Sequence, residues 1–231
     1  MKEIPYFLTN ELTLQPFMEH FVLADNQGLT REGLKSLCLS TGAGDIVTID
    51  CKQALVADLQ QHERAIVLLD YTLFDFTDIS DLINLHLRFP DVHWILVSED
   101  LSNTFVRRMI LESQQFSMVT KSGDIHDIDS AIRLAIRRER FICHQITEQI
   151  LASTSSIPQE RQQLTPTEME VLKEIALGRT TKEIAQDRHS SFHTINTHRK
   201  NIFHKLDVNT AYEAIRYAMR AGWIDTEGYS I

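Results

Sequence analysis

Helix-start and helix-stop signals recur at short intervals between residues 164 and 222, and they constrain the fold more than any other feature of the sequence. Capping boxes, in which Thr is followed three residues later by Glu, begin at Thr165, Thr180 and Thr210. Gly178 and Gly222 can each end a helix, and the Ser-Ser pair at 190–191 can cap another. These helix-start and helix-stop signals predict an all-α domain of four helices that contains a helix-turn-helix.

The third of these helices, from about Phe192 to Leu206, has an outer face suited to reading DNA. At about 100° per residue, one face carries polar groups, namely His193, Asn196, Thr197, Lys200 and His204. Apolar residues lie on the opposite face, with Arg199 between the two. Amide, hydroxyl and ammonium groups read base edges in the major groove. An ordinary solvated face is the alternative interpretation, because surface helices are polar by default.

The residues of this segment resemble the LuxR-type helix-turn-helix domain. The motifs that carry the resemblance are Leu164-Thr165, Glu168, Glu170-Val171-Leu172, Gly178, Lys182-Glu183-Ile184-Ala185, Thr194-Ile195-Asn196-Thr197-His198-Arg199, Asn201-Ile202 and Lys205-Leu206. The resemblance implies that the third helix enters the major groove, where Asn196, Thr197 and Lys200 contact bases and adjacent phosphates. It also implies that Lys182 contacts the DNA backbone and that residues 211–221 pair two such domains on DNA.

Charge is divided unevenly along the chain. Residues 161–231 carry ten Lys/Arg and nine Asp/Glu, a net charge of +1, whereas residues 1–160 have a net charge of -10. The stretch from Arg199 to Lys205 is the part best suited to a polyanion, so Arg199, Lys200 and Lys205 are candidate phosphate contacts. A near-neutral monomer would bind DNA weakly at physiological salt. We therefore expect the protein to bind double-stranded DNA as a homodimer.

The N-terminal part alternates short apolar runs with amphipathic helical segments. The runs are 20–24, 46–49, 65–69, 92–97 and 116–119, and the helical segments lie near 29–40, 52–61, 78–88, 102–114 and 126–151. Five β-α units at this spacing predict an α/β fold, a doubly wound five-stranded parallel sheet with helices on both faces.

Functional groups follow four of the predicted strands. Asp25, Asp70 and Ser98 come directly after the first, third and fourth strands, and Lys121 closely follows the fifth. The carboxyl ends of the strands form the binding edge of such a sheet. Carboxylates can hold Mg²⁺, and a hydroxyl and an ammonium can hold phosphoryl oxygens. A single Asp at a strand end is usually only a turn or cap residue, but four such groups together indicate a phosphoryl site.

The same residues resemble the receiver domain of two-component response regulators. The motifs are Asp25-Asn26-Gln27 with Leu29 and Arg31-Glu32-Gly33-Leu34, Leu68-Leu69-Asp70, Val97-Ser98 and Thr120-Lys121-Ser122. Together with the LuxR-type segment, these motifs make the chain resemble a NarL/FixJ-type response regulator. The resemblance implies that the strands of the sheet follow the flavodoxin-like order. The resemblance implies that Asp70 accepts a phosphoryl group from a histidine kinase and that Asp25 helps to bind Mg²⁺. Ser98 would be the switch hydroxyl and Lys121 the phosphate-pairing amine.

The sequence departs from the receiver pattern at several positions. Asn26 stands where the family usually has a second acid, which weakens Mg²⁺ binding although the amide can still offer an oxygen. Phe74 lies near a usual Pro, and Met118 replaces a usual aromatic. Two regulatory mechanisms therefore stay open. Either phosphorylation of Asp70 controls dimerisation and DNA binding, or a partner, a ligand or protein abundance controls a degenerate receiver.

Other classes of function fit less well. A phosphatase using Asp70 would need a second acid or base at an open site, and the sequence suggests none. We therefore expect that the protein is not an enzyme. An autoinducer-binding domain would not show five β-α units. Cys38, Cys51 and Cys143 are widely spaced, which predicts reduced thiols in a cytoplasmic protein. No apolar run approaches the about 20 residues of a membrane span, so no membrane association is expected.

These patterns predict the following division of the chain. Residues 1–19 form an N-terminal extension, and residues 20–143 form the receiver-like domain. The end of a long helix and a flexible tether, broken near 153–158, occupy residues 144–163. The LuxR-type DNA-binding domain takes residues 164–231.

Overall fold

A computed structural model of the chain describes residues 19–42, 44–99, 101–155 and 163–224. Within these ranges the strands are β1 (His20–Ala24), β2 (Asp45–Ile49), β3 (Ala65–Leu69), β4 (His93–Ser98) and β5 (Phe116–Thr120). They form one sheet in the order β2-β1-β3-β4-β5, and every neighbouring pair is parallel. The doubly wound five-stranded sheet and its flavodoxin-like order are thereby confirmed.

The central strands are buried along their whole length. Every residue of β1, β3 and β4 is buried, whereas β2, at one edge, is mostly exposed or half-buried. Strands covered on both faces need continuous apolar sequence, which residues 21–24 and 65–69 supply. In-register pairing of β1 with β3 places Ala24 beside Leu69, so Asp25 and Asp70 leave the sheet at the same edge.

Helices cover both faces of this sheet. They are α1 (Gly28–Ser40), α2 (Lys52–Leu59), α3 (Ile79–Arg88), α4 (Asn103–Glu112) and α5 (Ile125–Ile136). The side chain of Asp78 caps α3 by accepting hydrogen bonds from the backbone N–H groups of Ser80 and Asp81. The side chain of Ser102 caps α4 in the same way through the N–H of Phe105. The first four predicted helical segments are confirmed to within two residues.

The prediction of one long helix over 126–151 is wrong. After α5 the chain turns at Arg138, where φ is 62°, and a second helix, α6, spans His144–Ser155. Between them Ile142 forms a parallel bridge with Met118 of β5. The Arg138 guanidinium fixes the break by donating hydrogen bonds to the carbonyls of Ala65 and Asp91. Apolar periodicity is the same for one helix or two, so the pattern could not reveal this turn.

Helix α6 packs on the receiver-like domain, since Ile146 lies in its hydrophobic core. The helix runs to Ser155, beyond the predicted helix end near Leu151. Most of the predicted tether falls at 156–162, and nearly all of the predicted N-terminal extension falls at 1–18; both stretches lie outside the described residues.

The C-terminal domain contains α7 (Pro166–Ala176), α8 (Thr181–Asp187), α9 (Phe192–Leu206) and α10 (Ala211–Arg220). All three predicted capping boxes are present, at Thr165, Thr180 and Thr210. The side chain of Ser191, rather than that of Ser190, caps α9. Gly178 and Gly222 follow their helices with φ of 78° and 69°, a conformation that costs glycine little. The predicted four helices are confirmed.

A separate hydrophobic core holds these four helices together. Its fully buried members include Val171 of α7, Ile184 of α8 and Ile202 of α9. Phe192, the first residue of α9, has a side chain that is 49% exposed, so the buried face of this helix starts at Ile195. Cys38, Cys51 and Cys143 are free thiols, of which Cys51 alone is not fully buried. In the parts of the chain that the structure describes, every helix is too short or too polar to cross a lipid bilayer.

Candidate functional site

Asp25, Asp70, Ser98 and Lys121 meet at the carboxyl edge of the sheet. The ammonium of Lys121 lies 2.7 Å from Oδ2 of Asp25 and 2.6 Å from Oδ2 of Asp70. The hydroxyl of Ser98 donates to Oδ1 of Asp70 at 3.1 Å. Both carboxylates are buried, and the Lys121 side chain is 6% exposed. The structure therefore brings all four sequence-predicted groups of the receiver site together.

Thr72 also orients Asp70, and sequence reasoning did not identify it. Its backbone N–H donates to Oδ1 of Asp70 at 3.1 Å and its hydroxyl donates to the same atom at 2.8 Å. With Ser98, three hydrogen bonds converge on this one oxygen, which fixes the rotamer of the carboxylate. Asp-x-Thr is a common local turn, so its meaning becomes clear only once the site is assembled.

Gln27 and Asn26 complete the rim of the site. The N–H of Gln27 donates to Oδ1 of Asp25 at 2.6 Å, and its side-chain oxygen accepts from Lys121 at 2.9 Å. The amide of Asn26 donates to the carbonyl of Leu73 at 3.0 Å, which ties the loop after β1 to the loop after β3. Asn26 therefore connects two loops through its nitrogen, an interaction that a carboxylate at this position could not make.

The charges of the site fit a divalent cation. Two buried carboxylates and one ammonium leave a net charge of -1, and one oxygen of each carboxylate already lies within 2.7 Å of a single cationic atom. Mg²⁺ in proteins commonly takes one or two carboxylates and keeps several waters. Asp25 and Asp70 supply such a pair, provided that the Lys121 ammonium moves away from the space between them.

Helix α9 presents most of its predicted reading face to solvent. His193, Thr197, Lys200 and His204 are exposed, and Asn196 is half-buried. Lys182 on α8 is exposed as well. Arg199 is half-buried, with its guanidinium 5.6 Å from the ring centre of Phe203, and burial lowers its pKa. Arg199 therefore packs along the flank of α9 rather than at the centre of the face.

Lys205 lies apart from this face. Its ammonium is 2.7 Å from Oε2 of Glu168, and the two side chains are 17% and 4% exposed. Glu168 is also the acid of the first capping box, where it accepts from the N–H of Thr165 at 2.7 Å. The structure thus places Lys205 in an ion pair that joins α9 to the start of α7, and its predicted contact with DNA phosphate stays a prediction.

The reading face is partly occupied by the receiver-like domain. Nζ of Lys200 lies 3.0 Å from Oε2 of Glu99, the residue after Ser98. Sequence reasoning did not identify Glu99, because nothing local marks an exposed acid as the partner of a residue 101 positions away.

Further contacts hold the two domains together beside this pair. The side chain of Asn209 accepts from the Ser102 N–H at 2.7 Å and donates to the Ser102 hydroxyl at 3.2 Å. Arg216 pairs with Asp78 at 3.2 Å. Asn209 is 5% exposed, so its two hydrogen bonds are shielded from water. The start of α10 is therefore docked against the N-terminal ends of α3 and α4.

Comparison with known proteins identifies the second domain. Residues 162–218 match the family of bacterial regulatory proteins, luxR family. The C-terminal domain is a LuxR-type helix-turn-helix domain. Over 201 residues the chain is 26% identical to the response regulator protein VraR of Staphylococcus saprophyticus and 25% identical to VraR of Staphylococcus aureus. Each alignment covers 86% of this chain and 95% of the relative, so this chain is homologous to response regulators through both domains.

Solved structures of RcsB have a fold similar to that of this chain. RcsB from Salmonella enterica serovar Typhimurium, bound to a promoter in the presence of a phosphomimetic, matches with a TM-score of 0.54 and 18% identity. That match covers 87% of this chain and 97% of RcsB. Two RcsB dimers bound to two parallel DNAs match with a TM-score of 0.51 and 20% identity, covering 87% of this chain and 98% of RcsB. At this level of identity the likeness establishes the fold alone.

Proposed function

We propose that the protein is a cytoplasmic DNA-binding transcription regulator of the response regulator type. The observation that carries the proposal is the pairing of a buried aspartate site with an exposed polar α9 in a LuxR-type domain. Asn196, Thr197 and Lys200 would contact bases and adjacent phosphates in the major groove, and Lys182 would contact the DNA backbone. RcsB has been solved in complex with DNA, which supports the same activity here.

Asp70 would be the phosphate acceptor. Its Oδ2 would attack the phosphorus atom of a phosphohistidine on a kinase, so that the P–N bond breaks as the aspartyl phosphate forms. The ammonium of Lys121 already lies at hydrogen-bond distance from this oxygen. After the transfer it would donate to a negatively charged phosphoryl oxygen instead. Ser98 would donate to another phosphoryl oxygen once it leaves Asp70 Oδ1. Mg²⁺, held by Asp25 and Asp70 with a possible oxygen from Asn26, would neutralise phosphoryl charge.

The contact between Lys200 and Glu99 would couple this reaction to DNA binding. Ser98 touches the acceptor, and the next residue touches the reading face of α9. A movement of Ser98 toward a phosphoryl group would displace Glu99 and weaken the docking of the two domains. Phosphorylation would thereby shift the population from a closed form to a homodimer able to bind DNA.

A degenerate receiver is the second candidate, and one observation favours it. Asn26 supplies no charge, and its amide nitrogen is engaged with Leu73. The ammonium of Lys121 already neutralises half of the charge on Asp25 and Asp70. A sheet with this site could keep its shape without phosphorylation. Opening of the domains would then depend on a partner protein, a ligand or protein abundance.

Intact mass after incubation with Mg²⁺ and a small acyl phosphate separates the two candidates. Phosphorylation predicts one phosphate adduct on the wild-type protein and none on Asp70→Asn. Asp75→Asn is the matched control, because Asp75 is an exposed acid of the same loop and should leave labelling intact. If the wild type stays unlabelled while a known receiver is labelled in parallel, the degenerate receiver is correct. Labelling of Asp70→Asn would place the acceptor elsewhere.

A further inference from the structure

A second cluster of titratable side chains lies at the opposite end of the sheet from Asp70. His20 begins β1, and its imidazole is buried. Its Nε2 lies 2.8 Å from Oδ2 of Asp58, in the last turn of α2, and its Nδ1 lies 2.6 Å from Oδ2 of Asp45 on β2. The Nδ1 atom of His62 lies 3.5 Å from Oδ1 of Asp58. Four side chains from β1, β2, α2 and the loop after α2 thus converge.

Two histidines and a carboxylate in this cluster are spaced as metal ligands. One donor atom from each of His20, Asp58 and His62 can be chosen so that all three lie within 4.8 Å of one another. Ligands of tetrahedral zinc, with bonds of about 2.0–2.1 Å, lie about 3.3 Å apart. Nε2 of His20 lies 2.8 Å from Oδ2 of Asp58, and Nδ1 of His62 lies 3.5 Å from Oδ1 of the same carboxylate. Nδ1 of His62 also lies 3.2 Å from the backbone carbonyl of Asp58, so an ion would enter after the His62 ring and the carboxylate turn toward each other.

The two histidine rings of the cluster also lie face to face. The imidazoles of His20 and His62 stack with their centres 3.8 Å apart and their planes 17° from parallel. Metal ions bind an imidazole through a ring nitrogen, so the stack places two potential ligands side by side.

Asp45 supplies the partner that a metal-binding histidine normally has. In many metal sites a ligating histidine donates its other ring N–H to a carboxylate, which fixes the tautomer and the ring orientation. Here the bond from Nδ1 of His20 to Asp45 would leave Nε2 as the ligand atom, facing Asp58. The side chain of His62 is 38% exposed, so an ion could enter from solvent and keep a water ligand.

We propose that His20, Asp58 and His62 bind one divalent first-row transition-metal ion such as Zn²⁺, with Asp45 orienting His20. Two imidazole nitrogens and a carboxylate select Zn²⁺ or a similar ion over Mg²⁺, which requires oxygen ligands. The ion would tie the start of β1 to the end of α2. This site is independent of the phosphoryl site, and its existence does not depend on the proposed regulation by Asp70.

Metal titration of the full chain tests the proposal directly. Protein freed of metal with a chelator is titrated with Zn²⁺ by calorimetry and with Co²⁺ by visible absorption, in excess Mg²⁺ so that Asp25 and Asp70 are occupied. We expect one ion per chain and a Co²⁺ spectrum of low coordination number. His62→Gln should weaken binding at least tenfold, and Asp45→Asn about 10–100-fold. Zn²⁺ should also raise the thermal unfolding midpoint of the wild type alone.

His144→Gln is the matched control. His144 forms an exposed pair with Glu148 at 3.1 Å, four residues apart like Asp58 and His62, so its loss should leave the titration unchanged. Equal binding by His62→Gln and the wild type would overturn the proposal, as would binding of less than one ion per chain. In either case His20 would serve only to join Asp45 to Asp58 through hydrogen bonds.

Discussion

Nζ of Lys200, on the reading face of α9, lies 3.0 Å from Oε2 of Glu99, and Glu99 directly follows the residue that hydrogen-bonds the proposed phosphate acceptor. One peptide unit therefore separates the hydroxyl that contacts Asp70 from the carboxylate that pairs with Lys200, a proposed DNA contact. This short path gives the closed form a physical connection between its two sites.

Removing the charge of Glu99 should increase DNA binding by the unphosphorylated protein. Glu99→Gln frees the Lys200 ammonium, and a half-exposed ion pair contributes about 0.2–1 kcal/mol, so the affinity should rise up to about fivefold. Fluorescence anisotropy with a labelled duplex measures this effect. Glu112→Gln removes the same charge from a pair with Arg108 that lies on one helix, and it should have little effect. A similar gain for both variants would mean that net charge, rather than docking, limits binding.

Lys200→Ala should weaken DNA binding. The effect is measured in a variant that already lacks the ion pair between Lys200 and Glu99, so that weaker docking of the domains does not offset the lost DNA contact. In the Glu99→Gln background the substitution eliminates a contact to base or phosphate and should cost about 1–3 kcal/mol. The slope of log affinity against log salt should also become less steep if the contact is to phosphate. Binding that is unchanged at several salt concentrations would contradict the assignment of this face to the major groove.

Lys205→Ala should destabilise the C-terminal domain instead of acting mainly on DNA. Burial opposes ionisation of Glu168, but hydrogen bonds from Lys205 and Thr165 hold the pKa of this carboxyl below its ordinary value. Loss of the ammonium leaves a buried carboxylate short of a partner, at a cost of about 1–3 kcal/mol in the free energy of unfolding. Urea unfolding measures this loss. Lys182→Ala, at an exposed lysine, should unfold like the wild type, and equal curves for all three proteins would contradict the structural role of Lys205.

The receiver-like domain should lose stability as the pH falls from about 6.5 to 4. Burial, together with the charge of Arg138, lowers the pKa of His93 from 6.5 to about 4. In that window the unfolded chain binds a proton that the folded chain does not, so the free energy of unfolding falls, by up to about 3 kcal/mol for this group. Urea unfolding at several pH values should show a smaller fall for His93→Gln. His144→Gln, at an exposed histidine, should lose as much stability as the wild type over this pH range. If the stability of His93→Gln falls as much as that of the wild type, the burial of His93 is not the cause.

The sequence was most informative where a local pattern decides the outcome. Strands such as 65–69 must be buried because they are continuously apolar, and Thr165, Thr180 and Thr210 cap helices because their Glu partners lie one turn away. Asp25, Asp70, Ser98 and Lys121 were identified because strand ends of a parallel sheet share one edge.

The remaining features depend on contacts between distant parts of the chain. Glu99 and Asn209 matter only because the two domains touch, and His20 meets Asp58 across 38 residues. The turn at Arg138 interrupts a segment whose periodicity fits a single helix, and the carbonyls that hold it come from Ala65 and Asp91. Lys205 lies in a basic stretch of sequence, whereas its ion-pair partner, Glu168, lies 37 residues earlier. None of these partners is visible in local sequence.

DNA affinity measured with and without a phosphoryl mimic tests the central claim most directly. A duplex selected from a random pool is titrated with the wild type and with Asp70→Asn, each with Mg²⁺ and with or without beryllofluoride. If phosphorylation of Asp70 controls DNA binding, the mimic should raise the affinity of the wild type about fivefold or more, the usual size of coupling between two sites, and leave Asp70→Asn unchanged. An affinity that is the same with and without the mimic, in a wild type shown to bind it, would contradict control of DNA binding through Asp70.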